Sequence, residues 1–330
     1  MDVIFTDFSK AFDKVSHNIL LSKLRDQGIC GTLLIWFESY LKGRTLRVQI
    51  GDALSIEVDV TSSVVQGSHC GPILFSLFIN DISDILDVEF NSYADDVKIF
   101  CEINSMNDCE KLQRCLERLS KFASDNHLSL NVNKCFVVSF TKRLKRFICK
   151  DHRIDDLVLG RQNEIKDLGV TFDGTCGFNS HIDDICRRSK RSLGFVLRNA
   201  KDFTNTKTVV TLYSSLVKSL LEYASPIWSP TSKVRIKQIE TVQHKFLRFM
   251  ARKYFGDLEE SINYKVFERK LKLQSLELRR VITDIKTTIN SFNGRIDSFT
   301  FIHHFRFSVP RLRSRYRQVF QTSSDSSIFA

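Results

Sequence analysis

The sequence predicts an α/β (α+β) domain with an antiparallel sheet and packed helices, followed by a mainly α-helical region, with the change near residue 177. Three observations carry this. Short apolar strand-like runs are interleaved with amphipathic helical patterns as far as IKDLGVTF. Beyond Phe178 successive helical patterns follow without a further strand signal. A composition that is 42% hydrophobic, with four prolines in 330 residues, is enough to bury one or two cores.

Taken in order, VIFTDF is a buried strand that delivers Asp7 to its end. HNILLSKLRDQG is a helix whose Ile19, Leu20 and Leu24 share a face, with Gly28 as its stop. GTLLIWFESYLKG repeats the logic with Leu34, Phe37 and Leu41. LRVQI and IEVDV flank Gly51-Asp52 as a hairpin. GPILFSLFINDI, with Pro72 near its start, is a buried helix. In DCEKLQRCLERLSKFASDNHL, residues Leu112, Cys115, Leu116, Leu119 and Phe122 form a clear apolar stripe. Strand-like runs return at CFVVSF, LVLG and IKDLGVTF.

Lysine and arginine exceed aspartate and glutamate by 49 to 38, a formal charge of +11, which points to a polyanionic partner, with nucleic acid and anionic membrane both open on charge alone. Asp2 and Asp7 interrupt the first apolar run, and no stretch has the length and apolarity of a membrane span, so the expected setting is intracellular, nucleus or cytoplasm, without membrane. Nine cysteines lack CxxC or clustered Cys/His spacing, which argues against disulfide and zinc frameworks and for reduced thiols. The tail from Phe305 to Val319 carries Arg306, Arg311, Arg313, Arg315 and Arg317 without an acidic residue, and its serine-rich end is expected to be disordered.

The stretch FNSYADDVKIF sets Asp95 beside Asp96 between two strand-like arms. Neighbouring side chains of a strand point to opposite faces, so both serve one site only at a hairpin turn. Like charges there repel and are costly to desolvate, and a hard divalent cation relieves both penalties. Asp7 is the third carboxylate at a strand end. Alone, the pair also reads as a polar turn.

The order of motifs goes further. FTDFSKAFDKVSH, VVQGSHCGPILFSLFIND, YADD, LSLNVNKC, KDLGVTFD, LYSSLVKSLLEYASPIW and IETVQHKFLRFM run collinearly from Asp2 to about Arg252. In that order they resemble the reverse transcriptases of non-LTR (LINE-type, jockey-like) retrotransposons. The resemblance implies a polymerase palm over 1–177, a helical thumb-like region over 178–253 and a basic carboxy-terminal extension over 254–330. It implies an RNA-directed DNA polymerase whose partners are an RNA template, a DNA primer and deoxynucleoside triphosphates, with two Mg2+ ions, or Mn2+ in their place, bridged by Asp7 and Asp95, and with Asp96 as the adjoining carboxylate whose role is partly electrostatic. Lys134 is then the general acid for the departing pyrophosphate. Phe8, Phe12, Gln66, Gly67 and Ser68 are nucleotide-binding, with the Phe12 ring excluding a ribose 2′-hydroxyl. Leu168 and Gly169 belong to the primer grip. Arg187, Arg188, Lys190 and Arg191 contact nucleic-acid phosphates, although a solvated helix face explains them nearly as well. Val65 departs from the proline that family members commonly carry before the glutamine. The resemblance also implies an amino-terminally truncated chain lacking fingers and an endonuclease-like domain, so the alternative to catalysis is a remnant that at most binds RNA or DNA. A maturase or telomerase relationship fits the LEYASPIW pattern poorly.

Overall fold

The computed structural model describes residues 1–141, 148–256 and 263–296 and divides the chain into two compact units, Met1–Gly177 and a second beginning at Phe178. The arginine-rich run from Arg306 to Arg317 and the serine-rich end lie outside the described residues.

In the first unit β1 (Asp2–Thr6) leads through a 3-10 turn at Ala11–Asp13 to α1 (His17–Asp26) and α2 (Gly31–Leu41). Two short strand pairs follow: β2 (Thr45–Leu46) with β5 (Val58–Asp59), and inside them β3 (Gln49–Ile50) with β4 (Ala53–Leu54), closed at Gly51-Asp52. The expected hairpin is therefore present but interrupted. The Ser55 hydroxyl accepts from the Val48 N–H at 2.9 Å where ladder pairing lapses. The apolar residues Leu46, Val48, Ile50, Leu54, Ile56 and Val58 of this ribbon are all exposed.

Next come α3 (Cys70–Ile79), α4 (Ile82–Ile85), β6 (Glu89–Tyr93), β7 (Asp96–Cys101) and α5 (Met106–Asp125). α5 starts at a capping box in which the Asp108 carboxylate accepts from the Ser105 N–H at 2.8 Å. Leu112, Cys115, Leu116 and Leu119, each at most 1% exposed, form the expected stripe. The unit closes with β8 (Phe136–Ser139), β9 (Arg153–Ile154), β10 (Leu157–Val158), β11 (Gly160–Gln162), β12 (Glu164–Asp167) and β13 (Val170–Asp173).

The main sheet runs β11-β8-β1-β7-β6. It is antiparallel except at one edge, where β11 pairs parallel with β8. β1 occupies the centre, which is why its sequence is apolar on both faces: Val3 and Ile4 are buried, and the buried Thr6 is satisfied by donating its hydroxyl to Val97 O at 2.8 Å. One core packs Ile4, Ile99 and Val137 against Leu112, Cys115 and Leu116 of α5. A second gathers Phe8, Leu20, Leu24, Phe75, Phe78 and Val97 around α1 and α3.

Asp2, only 2% exposed, shows how a charge is tolerated at the start of such a strand. Arg161 Nη1 lies 3.1 Å from its Oδ2, and the Ser139 hydroxyl donates to its Oδ1 at 2.7 Å. Removing Arg161 would strand a buried carboxylate at a cost of about 3 kcal/mol.

The second unit is helical among its described residues: α6 (Asn179–Asn199), α7 (Thr206–Tyr213), a π-helical stretch at Ser214–Lys218, α8 (Ser219–Glu222), α9 (Ser225–Trp228), α10 (Lys233–Phe255), α11 (Tyr264–Lys270) and α12 (Leu276–Phe292). Its core stacks Tyr213 on Phe246 at 4.0 Å. The buried Gln243 accepts from the Tyr213 hydroxyl at 3.1 Å and donates to Gln274 O at 2.9 Å. No helix among the described residues is long and apolar enough to cross a membrane.

Candidate active site

Adjacent strands decide where the carboxylates go. β1 and β7 pair antiparallel from Asp2↔Cys101 to Thr6↔Val97, and one further step of that register sets Asp7 opposite Asp96. β6 and β7 pair to Tyr93↔Asp96, so the hairpin turn is Ala94-Asp95, with Ala94 at φ 53°. A non-glycine residue there carries strain of about 1 kcal/mol.

Lys134 comes from elsewhere. The chain leaving α5 is laid beside the end of β1 by Asn131 N–H donating to Asp7 O at 2.8 Å and Ser9 N–H donating to Ser129 O at 2.8 Å. A 3-10 turn at Val132–Lys134 then brings the ammonium 3.2 Å from Asp7 Oδ2. Oδ2 is buried and has no hydrogen-bond partner, so the contact is Coulombic rather than directed.

These residues share a cleft of about 400 Å³ with walls from Phe5, Asp7, Asp96, Lys98, Lys134 and Leu168. Phe5 stacks on Phe136 at 5.4 Å and pairs across the strands with Lys98. An aromatic row thus lies one pleat behind the acids. Burial pushes the Asp96 carboxyl above its ordinary value, and the neighbouring Asp95 carboxylate pushes the same way. Lys98 opposes them, while Asp167 and Asp7 add to the rise. A buried Asp7 oxygen met by the Lys134 ammonium but by no directed hydrogen bond, and a carboxylate disfavoured by neighbouring acids, form a hard-oxygen donor set that a divalent cation would suit.

Asp95, one residue along the turn, stands outside the cleft lining, and among the described residues no three His, Cys, Asp or Glu side chains approach closely enough to hold a metal ion. The expected grouping of three carboxylates is thus not found among the described residues: Asp95 sits in the turn itself, while Asp96 is the first residue of β7 and is the one that the register aligns with Asp7. One or two carboxylates completed by substrate oxygens is the arrangement that magnesium commonly takes.

The other expected residues separate into groups. Leu168, at φ 43°, and Gly169, at φ 87°, form the two-residue turn of the β12–β13 hairpin, a geometry that requires positive φ at both positions and explains the glycine. Leu168 is 47% exposed and reaches the cleft. Phe8 requires a correction. It is 2% exposed inside the core with Leu20 and Phe75, so its side chain packs instead of meeting a nucleotide. Phe12 is half-buried and stacks on Phe75 at 4.6 Å.

Gln66 donates to Asp13 Oδ1 at 2.7 Å, and Gly67 has φ 79°. Ser68 has a local job. Its hydroxyl donates to Val65 O at 2.8 Å and accepts from Gly71 N–H at 3.0 Å, fixing the entry to α3. The 61–66 loop is held alongside the 12–15 segment by Val64 N–H donating to Phe12 O at 3.0 Å and Ser63 N–H donating to Val15 O at 2.9 Å.

Arg187, Arg188, Lys190 and Arg191 lie on α6 of the second unit. Arg187 pairs with Asp184, and Arg188 Nε lies 3.5 Å from the same carboxylate, whereas Lys190 and Arg191 are exposed and make no ion pair among the described residues.

Lys98 and Asp167 did not come out of the sequence reading. Lys98 was recoverable, since a residue two along a strand from Asp96 shares its face. Asp167 stands in KDLGVTFD beside Leu168, but nothing local shows that the later hairpin carries its carboxylate to the cleft wall.

The reverse transcriptase (RNA-dependent DNA polymerase) family model matches residues 3–172. The probable RNA-directed DNA polymerase from the transposon X-element of Drosophila melanogaster is 28% identical over 321 residues, covering 94% of this chain and 33% of that protein. The RNA-directed DNA polymerase from the mobile element jockey of the same species is 27% identical over 255 residues, covering 74% and 28%. The chain thus spans about a third or less of the length of these relatives. A solved telomerase from Candida albicans, in complex with a TWJ fragment of telomeric RNA, aligns over 83% of this chain and 51% of that chain with a TM-score of 0.42 at 12% identity. With its motifs in family order and the family model matching more than half of its length, the chain belongs to the reverse transcriptase family, in its non-LTR, LINE-type branch.

Proposed function

We propose that this chain is the palm and thumb portion of an RNA-directed DNA polymerase of a non-LTR retrotransposon, adding deoxynucleotides to a DNA primer on an RNA template by two-metal phosphoryl transfer. The observation that carries the proposal is the cleft itself: Asp7 and Asp96 end adjacent central strands and face one cavity beside Lys134. The assignment of 1–177 as palm, 178–253 as thumb and 254–330 as a basic extension belongs to the same reading, as does an intracellular setting where RNA and deoxynucleotides are found.

Asp7 and Asp96, with Asp95 beside them, are the residues that would hold the magnesium ions, or manganese in their place. A metal bound there would supply charge neutralisation for the phosphate and so favour attack by the primer hydroxyl. The protein's own groups do the rest. Asp7 and Asp96 are positioned by strands that cannot shift without disrupting the sheet. Lys134, held near Asp7, is placed to give a proton to the departing pyrophosphate oxygen. Phe12, braced by Phe75, limits space beside the sugar and favours deoxynucleotides. Gln66 and Gly67 are placed over the 12–15 segment to approach nucleotide or template, and Leu168 with Gly169 to meet the primer.

The test is incorporation of labelled deoxynucleotide by the purified chain on a DNA-primed RNA template, with magnesium, with manganese and with chelator. Metal-dependent extension that favours deoxynucleotides over ribonucleotides supports the reading. A chain that binds the primed template yet adds nothing under any of these conditions is instead a nucleic-acid-binding remnant.

A further inference from the structure

The β12–β13 hairpin is attached to the rest of its unit in three ways that differ in kind. At its base the main chain holds it: Thr141 N–H donates to Gly174 O at 2.8 Å, next to the hairpin's own closing bond from Gly174 N–H to Asn163 O at 3.1 Å. Along its inner face Ile165 and Val170 are buried, a non-directional attachment that tolerates sliding. At its far end, next to the turn, Asp167 Oδ2 meets Lys98 Nζ at 2.6 Å, with side chains only 19% and 14% exposed. The hairpin's two strands pair with each other and not with the five-stranded sheet, so no ladder fixes their register against it.

Lys98 is itself held in place. Its ammonium lies 5.8 Å from the centre of the Phe5 ring, its opposite number on β1, and Phe5 stacks on Phe136 of β8. It stands two residues along β7 from Asp96, on the same face.

From this arrangement we infer that the Lys98–Asp167 pair is a strut that sets the position of the hairpin turn over the catalytic carboxylates, so that one strand, β7, fixes both Asp96 and the placement of Leu168 against the primer end. Lys98 and Asp167 are positioning residues: they act through the hairpin and touch no reacting atom. The inference rests on the polymerase reading for the identity of the primer and on the geometry for the strut. A shielded ion pair suits this purpose because its energy depends on direction and register, whereas the apolar contacts beside it fix only proximity. The wall it braces is the one that carries Leu168, which is exposed yet turned to the cleft.

The experiment compares the wild-type full chain with Lys98→Met, Asp167→Asn and the charge-preserving Lys98→Arg by two measurements that need no catalysis. The first is amide hydrogen exchange across residues 163–174 and, as an internal control, across α5. The second is affinity for an RNA–DNA hybrid with a recessed DNA 3′ end, set against a blunt hybrid of the same sequence. The strut requires exchange in the hairpin to rise about tenfold in Lys98→Met and Asp167→Asn while α5 stays unchanged. It also requires about fivefold weaker binding of the recessed hybrid alone. Lys98→Arg should restore both. Loss of protection throughout the unit would mean general destabilisation and would overturn the strut, as would unchanged hairpin exchange or an equal loss of affinity for blunt and recessed hybrids. If the wild type binds the recessed hybrid but incorporates nothing, the polymerase reading falls, while exchange and affinity still decide the strut.

Discussion

The cleft at the end of β1 and β7 and the outward face of α6 both concentrate charge, but they hold it by opposite means. In the cleft, carboxylates and ammonium groups come from four separate stretches of chain, ending at Asp7, Asp96, Lys134 and Asp167, and tertiary structure brings them together. On α6 the charges lie within one helix, and Asp184 on that same helix already answers Arg187 and Arg188. Chemistry requires atoms fixed to a fraction of an ångström, which only tertiary structure supplies. Phosphate binding requires a field, which a mobile arginine supplies well enough. Single substitutions should therefore be severe and local in the cleft, and mild and additive on α6.

The largest effect is expected at Asp7. Asp7→Asn keeps the shape and the strand but removes the charge, and incorporation should fall at least about a thousandfold. Circular dichroism and the melting temperature should stay near the wild type, because Asp7 lies just beyond the ladder of β1. Metal-dependent synthesis retained by this variant would break the comparison at its strongest point.

That asymmetry also explains what the sequence made legible. β1, α3 and α5 were readable because their periods are strong: Val3 and Ile4 beside the buried Thr6, the apolar run of GPILF, and the stripe from Leu112 to Phe122. Asp7 and the YADD turn stood out because acids there contradict the pattern around them. That Asp96 lines the cleft beside Asp7 while Asp95 occupies the turn depends on strand register, which no local signal specifies. The burial of Phe8 is not legible because an aromatic beside a strand-end acid looks the same whether it faces the core or a ligand. The parallel pairing of β11 with β8 likewise follows from a crossover of chain, not from any residue in LVLG.

Lys134 comes next in size. Lys134→Ala should slow single-turnover addition by about a hundredfold if its ammonium protonates the pyrophosphate, with affinity for the primed template little changed. Its side chain is 65% exposed, so the loss of packing is slight and the melting temperature should hold. A rate insensitive to the change would move Lys134 from the chemistry to the merely structural partners of Asp7.

On α6 the comparison can be sharpened within a single helix. Removing Lys190 and Arg191 together should lower the slope of log affinity against log salt by about 2 and weaken binding evenly across sequences. Removing Arg187 and Arg188 should do less, because Asp184 already neutralises part of their charge. Equal slopes for the two double variants would show that the local pairs dissolve when nucleic acid arrives.

The smallest effect lies on the buried side, at His17. Its Nε2 lies 2.8 Å from Ser63 O, tying the start of α1 to the loop that carries Gln66. Burial pulls the imidazole below its ordinary value; the Ser63 hydrogen bond opposes this, and Arg44 and Lys42 add to it. The folded chain therefore binds fewer protons at this site than the unfolded chain. The stabilisation is complete above the unfolded value of about 6.5 and is lost as pH falls below it. The wild type should accordingly lose more melting temperature between about pH 7.5 and about pH 5.5 than His17→Gln, whose amide keeps a donor for Ser63 O without titrating. Equal losses in the two proteins would mean that the acid response arises elsewhere, and that the 61–66 loop owes its placement to its main-chain bonds with Phe12 and Val15 rather than to this imidazole.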